Sequence, residues 1–228
     1  MTTVTTSWDD GHALDMRVAE LLRKHAVSGT FYISPQCREI PADERLTGAQ
    51  VRELAHAFEI GAHTMTHPRL TEVSSEVARQ EIVDSKKFLE DVLGSPVSSF
   101  CYPGGAFIGA HKAMVKDAGF TFARTVERFE GGIGDPFAAP TTIHAYRHYS
   151  DALGVARHMG KRFLSGYLNW DELATTLFDE IAQDGGVFHL WGHSWEIEKN
   201  SDWERLERVL AHIGKRKEVA YVQNCALV

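Results

Sequence analysis

Two adjacent carboxylates follow the first apolar run of the chain, in the segment Ser7-Trp-Asp-Asp-Gly11. Like charges side by side are unfavourable unless a positive group holds them or one of them keeps a proton. A divalent metal ion meets that need, because one aspartate can bind the ion while the other acts as a base on water. A solvated Asp-Gly turn is the alternative for this segment taken alone. The pair Asp9 and Asp10 is the first candidate for chemistry.

Two histidines four residues apart form the second candidate, in His63-Thr-Met-Thr-His67. On one helical turn this spacing puts both imidazoles on the same side, although it also occurs by chance on many helices. Two imidazoles and one carboxylate are a common ligand set for catalytic zinc and related divalent ions. Thr64 stands where the HExxH metalloproteases carry their glutamate base. The aspartate pair can then supply one metal ligand and one base.

The elements that have to position these residues alternate along the chain. Short apolar runs predict strands at Val4–Trp8, Gly29–Ile33, Glu59–Ala62, Ser98–Tyr102, Phe120–Thr125, Val187–Gly192 and Val219–Val222. Apolar spacing and capping signals predict helices at Leu14–His25, from a Thr47 capping box to Ala57, at Ser75–Leu93, His111–Ala118, 151–164 and 171–183, and from a Ser201–Glu204 capping box to Ile213.

Strands that alternate with helices indicate a parallel α/β sheet joined by right-handed crossovers. We expect a barrel-like (β/α) array, with an open doubly wound sheet as the second choice. In both folds the active site lies at the carboxyl ends of the strands. The aspartate pair, His63, the Pro103-Gly-Gly105 turn and His193 each follow a predicted strand, so the fold is expected to bring them to one rim. No linker or repeat interrupts the chain, which we predict to be a single domain over residues 1–228.

The order of these motifs resembles that of the polysaccharide deacetylase family, which is carbohydrate esterase family 4 with the NodB homology domain. The motifs are Asp-Asp after the first strand, His-Thr-x-x-His, an aromatic-Pro-Gly-Gly turn and a late strand that ends in histidine, and they span Ser7 to His193. The resemblance implies a distorted (β/α) barrel and metal-assisted hydrolysis of an N-acetyl amide on a sugar.

The resemblance also implies a role for individual residues. Asp9 matches the family's general base, and Asp10 matches its metal-ligating aspartate. His63 and His67 match the two metal-ligating histidines, with zinc the first expectation and other divalent ions possible. Tyr102 matches the region whose backbone N–H helps to bind the oxyanion. His193 matches the late histidine that acts as general acid.

The sequence departs from the family pattern at several positions. The third motif usually carries an arginine that holds the catalytic aspartate, whereas this chain reads Phe-Cys-Tyr-Pro there. Arg124, at the end of the next strand, is our candidate for the substitute, with a surface ion pair as the alternative. The late motif continues into Trp195 and Glu196, which are candidates to pack against a sugar ring and to orient His193. His148, in a polar stretch, and Pro103 are further candidates for substrate contact.

Composition limits the partners. The formal net charge is −7 and no basic block is present, which argues against nucleic acid or an anionic membrane surface as a partner. No apolar run approaches the roughly 20 residues that cross a bilayer. We see no signal peptide and only three scattered cysteines, so we expect a cytoplasmic protein that acts on a small carbohydrate, such as a glycan precursor or short oligosaccharide.

Two other functions remain open. A cyclic-amide or ureide hydrolase on the same fold could have lost metal ligands, and the intact Asp10, His63 and His67 set argues against it. A non-catalytic sugar-binding relative would be expected to lack Asp9 or His193, and both residues are present.

Overall fold

The computed structural model describes residues 1–228, and its sheet is built from eight parallel strands. The first strand is rich in threonine and almost wholly buried, as expected for a parallel sheet that is covered on both faces. The strands are β1 (Thr2–Asp10), β2 (Thr30–Ile33), β3 (Glu59–Ala62), β4 (Ser99–Cys101), β5 (Phe122–Arg124), β6 (Ile143–His144), β7 (Gly186–Gly192) and β8 (Val219–Tyr221).

The first strand, β1, lies at the centre of the sheet, whose order is β5-β4-β3-β2-β1-β7-β6. On one side β7 pairs with β1 from Thr2 to Trp8. On the other side β8 pairs with the start of β1 and β2 pairs with its end. The sheet curls without closing, and an isolated bridge joins Arg124 at the end of β5 to Ala139, in the segment that leads to β6. The predicted distorted (β/α) barrel is therefore confirmed.

The helices form where apolar spacing and caps coincide. In α3, the Ser74 side chain accepts a hydrogen bond from the N–H of Val77, and Gly94 ends the helix in a left-handed conformation. The helices are α1 (Asp15–His25), α2 (Gly48–Ala55), α3 (Ser75–Leu93), α4 (Gly109–Asp117), α5 (Ala152–Met159), α6 (Phe163–Leu168), α7 (Trp170–Asp184), α8 (Ser194–Lys199) and α9 (Trp203–Ile213).

The core is a cluster of 42 buried apolar residues that extends from Val4 to Val219 and includes side chains from both the sheet and the helices. It holds the strand ends in fixed relative positions. The assignment of the whole chain to one domain stays a prediction. No helix combines the length and the apolar composition that a membrane crossing would require.

Several predicted elements differ from the structure. The helix predicted over 151–164 is broken into α5 and α6 at Gly160, whose φ is 49°. The capping box predicted at Ser201 is wrong, because Ser201 takes a left-handed φ of 57° and α9 begins without a side-chain cap. The strand β6 and the helix α8 were not predicted, because two and six residues are too short to show a periodic pattern.

Candidate active site

The candidate residues meet because the strands are in register at their carboxyl ends. Asp10 pairs with Ile33 on β2, and Ile33 pairs with Ala62 on β3. His63 follows Ala62 directly, so its side chain begins one residue beyond the level of Asp10. The rule that parallel α/β folds place their sites at this edge therefore holds for the first two motifs.

A sharp turn at Asp10 and Gly11 ends β1 directly after the aspartate pair. Asp10 and Gly11 have φ values of 79° and 77°, both in the left-handed region. A Cβ at Gly11 would lie 2.8 Å from the Cγ2 atom of Ile33, so glycine is required there for space as well as for conformation. An Asp-Gly turn is present, but it is buried rather than solvated, and Asp9 and Asp10 are each 2% exposed.

Asp10, His63 and His67 converge on one point. The Nε2 atoms of His63 and His67 lie 3.6 and 3.3 Å from Oδ1 of Asp10. That oxygen is buried and has no hydrogen-bond partner in the protein. Nitrogen and oxygen ligands of a tetrahedral zinc ion, at about 2.0–2.1 Å, lie about 3.3–3.4 Å from one another. The donor set and its spacing fit a divalent metal ion.

The protonation state of His63 suits a metal ligand. Its Nδ1 lies 2.8 Å from the carbonyl oxygen of Cys101, which requires the proton on Nδ1 and leaves Nε2 free to face Asp10. Burial lowers the pKa of His63 to about 4, against the attraction of Asp9 and Asp10. The imidazole is therefore neutral at pH 7, as a ligand has to be.

His63 and His67 do not lie on a helical turn, so this part of the sequence analysis is wrong. They stand in a loop in which Thr64 and His67 have φ values of 62° and 64°. Glu81 on α3 holds that loop. Its carboxylate accepts hydrogen bonds from the main-chain N–H groups of Met65 and Thr66, both at 2.8 Å, and from the Thr66 hydroxyl at 2.7 Å. No local signal in the sequence pointed to Glu81.

Arg124 reaches Asp9 from β5, the edge strand next to β4. The register of β4 and β5 pairs Cys101 with Arg124, so the guanidinium approaches from one strand beyond the expected position. Arg124 is fully buried and donates to Oδ1 of Asp9, and the Cys101 thiol lies 3.7 Å from Oδ2. Burial alone would raise the pKa of Asp9, but Arg124, His63 and His193 together outweigh burial and the pKa is lowered, with Arg124 the largest of the three. Asp9 is thus held ionised.

His193 lies on the opposite side of Asp10, at the start of α8. Its Nε2 is 3.9 Å from Oδ2 of Asp10, and its Nδ1 is hydrogen-bonded to Glu196 one turn later. Burial by itself would lower the pKa of His193, but the bond to Glu196 and the charge of Asp10 raise it to about 9. The imidazole thus carries a proton toward the cleft while Glu196 holds its other nitrogen.

Behind Glu196 lies His144, which sequence reasoning missed because it belongs to the two-residue strand β6. Its Nε2 is 3.0 Å from the Glu196 carboxylate, and its ring stacks on Trp191 with centroids 3.8 Å apart. Burial lowers the pKa of His144 to about 3, so it is neutral. His148, predicted to contact substrate, lies instead 2.6 Å from Nδ1 of His144 and does not line the cleft. It supports the histidines behind the site.

A cavity of about 240 Å³ contains the site, and Trp195 lies on its wall together with Gly104, Arg69 and His193. A second cavity of about 190 Å³ shares Asp10, Glu39 and Trp195 with it, so the cleft continues past the indole ring. Of the predicted substrate contacts, only Trp195 lines this cleft.

The third motif is placed differently from the prediction. The N–H of Tyr102 lies 3.4 Å from the carbonyl oxygen of Arg124, within the sheet, and its hydroxyl donates to Phe137. Pro103 is buried and Gly104 is the residue of this turn that lines the cleft. Neither Tyr102 nor Pro103 lines the cleft, because the Pro103–Gly105 turn places Gly104 there instead, and the roles given to these two residues stay predictions.

Comparisons with known proteins agree with the fold, and the family match covers the segment that contains the first two motifs. A family model described as polysaccharide deacetylase matches residues 2–123. YxkH of Bacillus subtilis, proposed to be a polysaccharide deacetylase, is 25% identical over 126 residues, 54% of this chain and 44% of its own. The peptidoglycan-N-acetylglucosamine deacetylase of Bacillus cereus is 32% identical over 119 residues, 51% of this chain and 53% of its own.

The match thus spans about half the length of these curated relatives. Among solved structures, a Mycobacterium smegmatis protein proposed to be a polysaccharide deacetylase has a TM-score of 0.69 at 15% identity, and the alignment covers 97% of this chain and 87% of that one. The fold is therefore shared along nearly the whole chain, including the half that the family model does not match.

Proposed function

The chain belongs to the polysaccharide deacetylase family, and on that premise we propose that it is a metal-dependent hydrolase that removes an N-acetyl group from a sugar or short oligosaccharide. The observation that carries the proposal is the unpartnered, buried Oδ1 of Asp10 between two imidazole nitrogens, in one cleft with Asp9 and His193. A binding protein would have no need for an ionised base and a protonated acid in the same cleft as such a centre.

A divalent ion held by Asp10, His63 and His67 would polarise the acetyl carbonyl and lower the pKa of water. Asp9 stands beside this centre and is kept ionised by Arg124, so it is available to accept the proton of the attacking water. The Arg124 bond occupies Oδ1 and leaves Oδ2 with only the weak thiol donor of Cys101. We therefore assign Asp9 as general base and Arg124 as the residue that holds it.

The leaving nitrogen has to receive a proton when the amide bond breaks. His193 faces the cleft with Nε2, and Glu196 holds Nδ1, so the ring is oriented to donate at Nε2. Neutral His144 and the stacked Trp191 limit the freedom of Glu196. We assign His193 as general acid and Glu196 as the residue that orients it.

The shape of the cleft supports a substrate longer than one sugar. The cavity at Asp9 and His193 can take the acetamido sugar, and the second cavity, reached past Trp195, can take a neighbouring unit. Glu39 and Glu44 are exposed along that second cavity. Their charge disfavours a phosphorylated group there, so a neutral or amino-bearing neighbour is proposed over a nucleotide-linked one.

The test combines metal content with product release. Protein purified without chelator is analysed for metals, and acetate release is measured from N-acetylated mono- and oligosaccharides and from a cyclic ureide. We expect one divalent ion per chain, acetate release that chelation abolishes and zinc restores, and faster turnover of oligosaccharides than of the monosaccharide.

His67→Ala should lose both the metal and the activity. His158→Ala is the matched control, since His158 is another half-buried histidine beside a glutamate but lies outside the cleft. Full metal content in His67→Ala would place the ion elsewhere. Ureide hydrolysis without acetate release would indicate the other enzyme class, and sugar binding with no turnover would indicate a non-catalytic relative.

A further inference from the structure

The two oxygens of the Asp10 carboxylate have different surroundings. Oδ1 faces the imidazoles of His63 and His67 and accepts no hydrogen bond. Oδ2 accepts a hydrogen bond of 2.9 Å from the indole Nε1 of Trp195. An indole nitrogen can only donate, so the bond defines which oxygen is occupied by the protein and which is free.

The indole is itself held in place. Trp195 lies in the first turn of α8, and the preceding Ser194 hydroxyl donates to the buried carboxylate of Asp15 at 2.6 Å. The ring also packs against His193, with centroids 5.3 Å apart. The position of the N–H is therefore fixed by α8 and α1 rather than by a ligand in the cleft.

We propose that Trp195 is a positioning residue of the metal centre: its indole N–H occupies Oδ2 of Asp10, so that the carboxylate presents Oδ1 alone to the ion shared with His63 and His67. The inference rests on the proposed metal centre but not on the identity of the substrate. A carboxylate with two free oxygens can rotate, or it can bind a metal ion through both oxygens. At metal sites, hydrogen bonds from neighbouring residues fix the orientation of the carboxylate. Loss of such a bond typically weakens metal affinity by roughly 10- to 100-fold.

Trp195 also lines both cavities, so its ring could matter for the substrate alone. Trp195→Phe separates the two roles, because phenylalanine keeps an aromatic ring and lacks the N–H. Trp195→Leu removes both features. Trp170→Phe is the matched control: its indole donates to Asp202 at 3.0 Å, and that carboxylate lies outside the metal centre.

The measurement is zinc affinity by competition with a chromogenic chelator, without substrate. Trp195→Phe and Trp195→Leu should both bind zinc roughly 10- to 100-fold more weakly than the unmodified protein. Trp170→Phe should change the zinc affinity by less than about twofold, because distant sites act nearly independently. With zinc saturating, KM should be nearly unchanged in Trp195→Phe and raised in Trp195→Leu. Circular dichroism of the metal-free variants confirms that each is folded.

Unchanged zinc affinity in Trp195→Phe, with weakening only in Trp195→Leu, would overturn the inference, because ring packing would then be the cause. An unmodified protein that binds no zinc would overturn it together with the metal centre. If zinc affinity falls as expected but no acetylated sugar is hydrolysed, the inference stands and the proposed reaction fails.

Discussion

Removal of the Arg124 side chain is the sharpest test of the arrangement around Asp9. The guanidinium is fully buried, lies between the rings of Tyr32 and Trp191 at 5.2 and 4.9 Å, and donates to Asp9, which is itself 2% exposed. Arg124→Met fills part of the volume but leaves the Asp9 carboxylate buried without its positive partner. Stranding one member of a buried ion pair costs about 3–5 kcal/mol.

Thermal unfolding of the metal-free protein measures this cost without a contribution from ion binding. For a chain of this size, each kcal/mol shifts Tm by about 2–4 °C, so Arg124→Met should lower Tm by roughly 6–20 °C. Arg124→Lys keeps the positive charge but lacks the second N–H donor group. Its Tm should lie between those of the unmodified protein and Arg124→Met. Turnover of Arg124→Met should drop by roughly 10²–10⁴, the usual contribution of a general base.

A double-mutant cycle with Asp9→Asn decides whether the cost belongs to this pair. Asn at position 9 is neutral, so Arg124→Met on that background should cost less than it does alone, with a coupling of about 1–3 kcal/mol. The turnover of the double variant should be close to that of the weaker single variant. A single-variant cost below about 1 kcal/mol, or additivity within about 0.5 kcal/mol, would refute the reasoning.

Three further predictions concern the histidines, the loop and a buried acid. His193→Ala should lower turnover by roughly 10²–10⁴ and keep the metal. His189→Ala removes a buried ring that is hydrogen-bonded in the sheet, so it should mainly lower the unfolding free energy, by about 2–4 kcal/mol. An inactive but stable His189 variant would reverse the assignment. Glu81→Ala should weaken zinc binding by roughly 10- to 100-fold, because the loop between the ligand histidines loses its anchor; unchanged zinc affinity by chelator competition would contradict this. Burial raises the pKa of Asp15 well above its usual value, so the folded protein keeps a proton that the unfolded chain releases above about pH 3.9, and stability falls as pH rises toward the folded pKa. In urea titrations, the unfolding free energy of Asp15→Asn relative to that of the unmodified protein should therefore increase from about pH 5 to about pH 8. A difference that stays constant over this range would contradict the prediction.

The position of the first two motifs in the fold could be predicted from the sequence, because the signals that mark strands are local. Short apolar runs mark the strands, and the carboxyl ends of parallel strands share one edge. That reasoning placed the aspartate pair, His63 and His193 at a common rim. The structure has these residues in that arrangement, with His189 bonded to Ser7 inside the sheet.

The sequence offered Arg124 and Glu196 as candidate partners, but the contacts themselves depended on tertiary structure, and nothing in the sequence pointed to Glu81 or His144. The register of β4 and β5 puts Arg124 within reach of Asp9, and a loop with left-handed residues, anchored by Glu81, replaces the expected helical turn. His144 reaches Glu196 from a strand of two residues. The sequence by itself determined which side chains could do chemistry and at which edge of the sheet they lie. Only the tertiary structure decided which neighbour holds each of them, because strand register and loop conformation are properties of the packed chain.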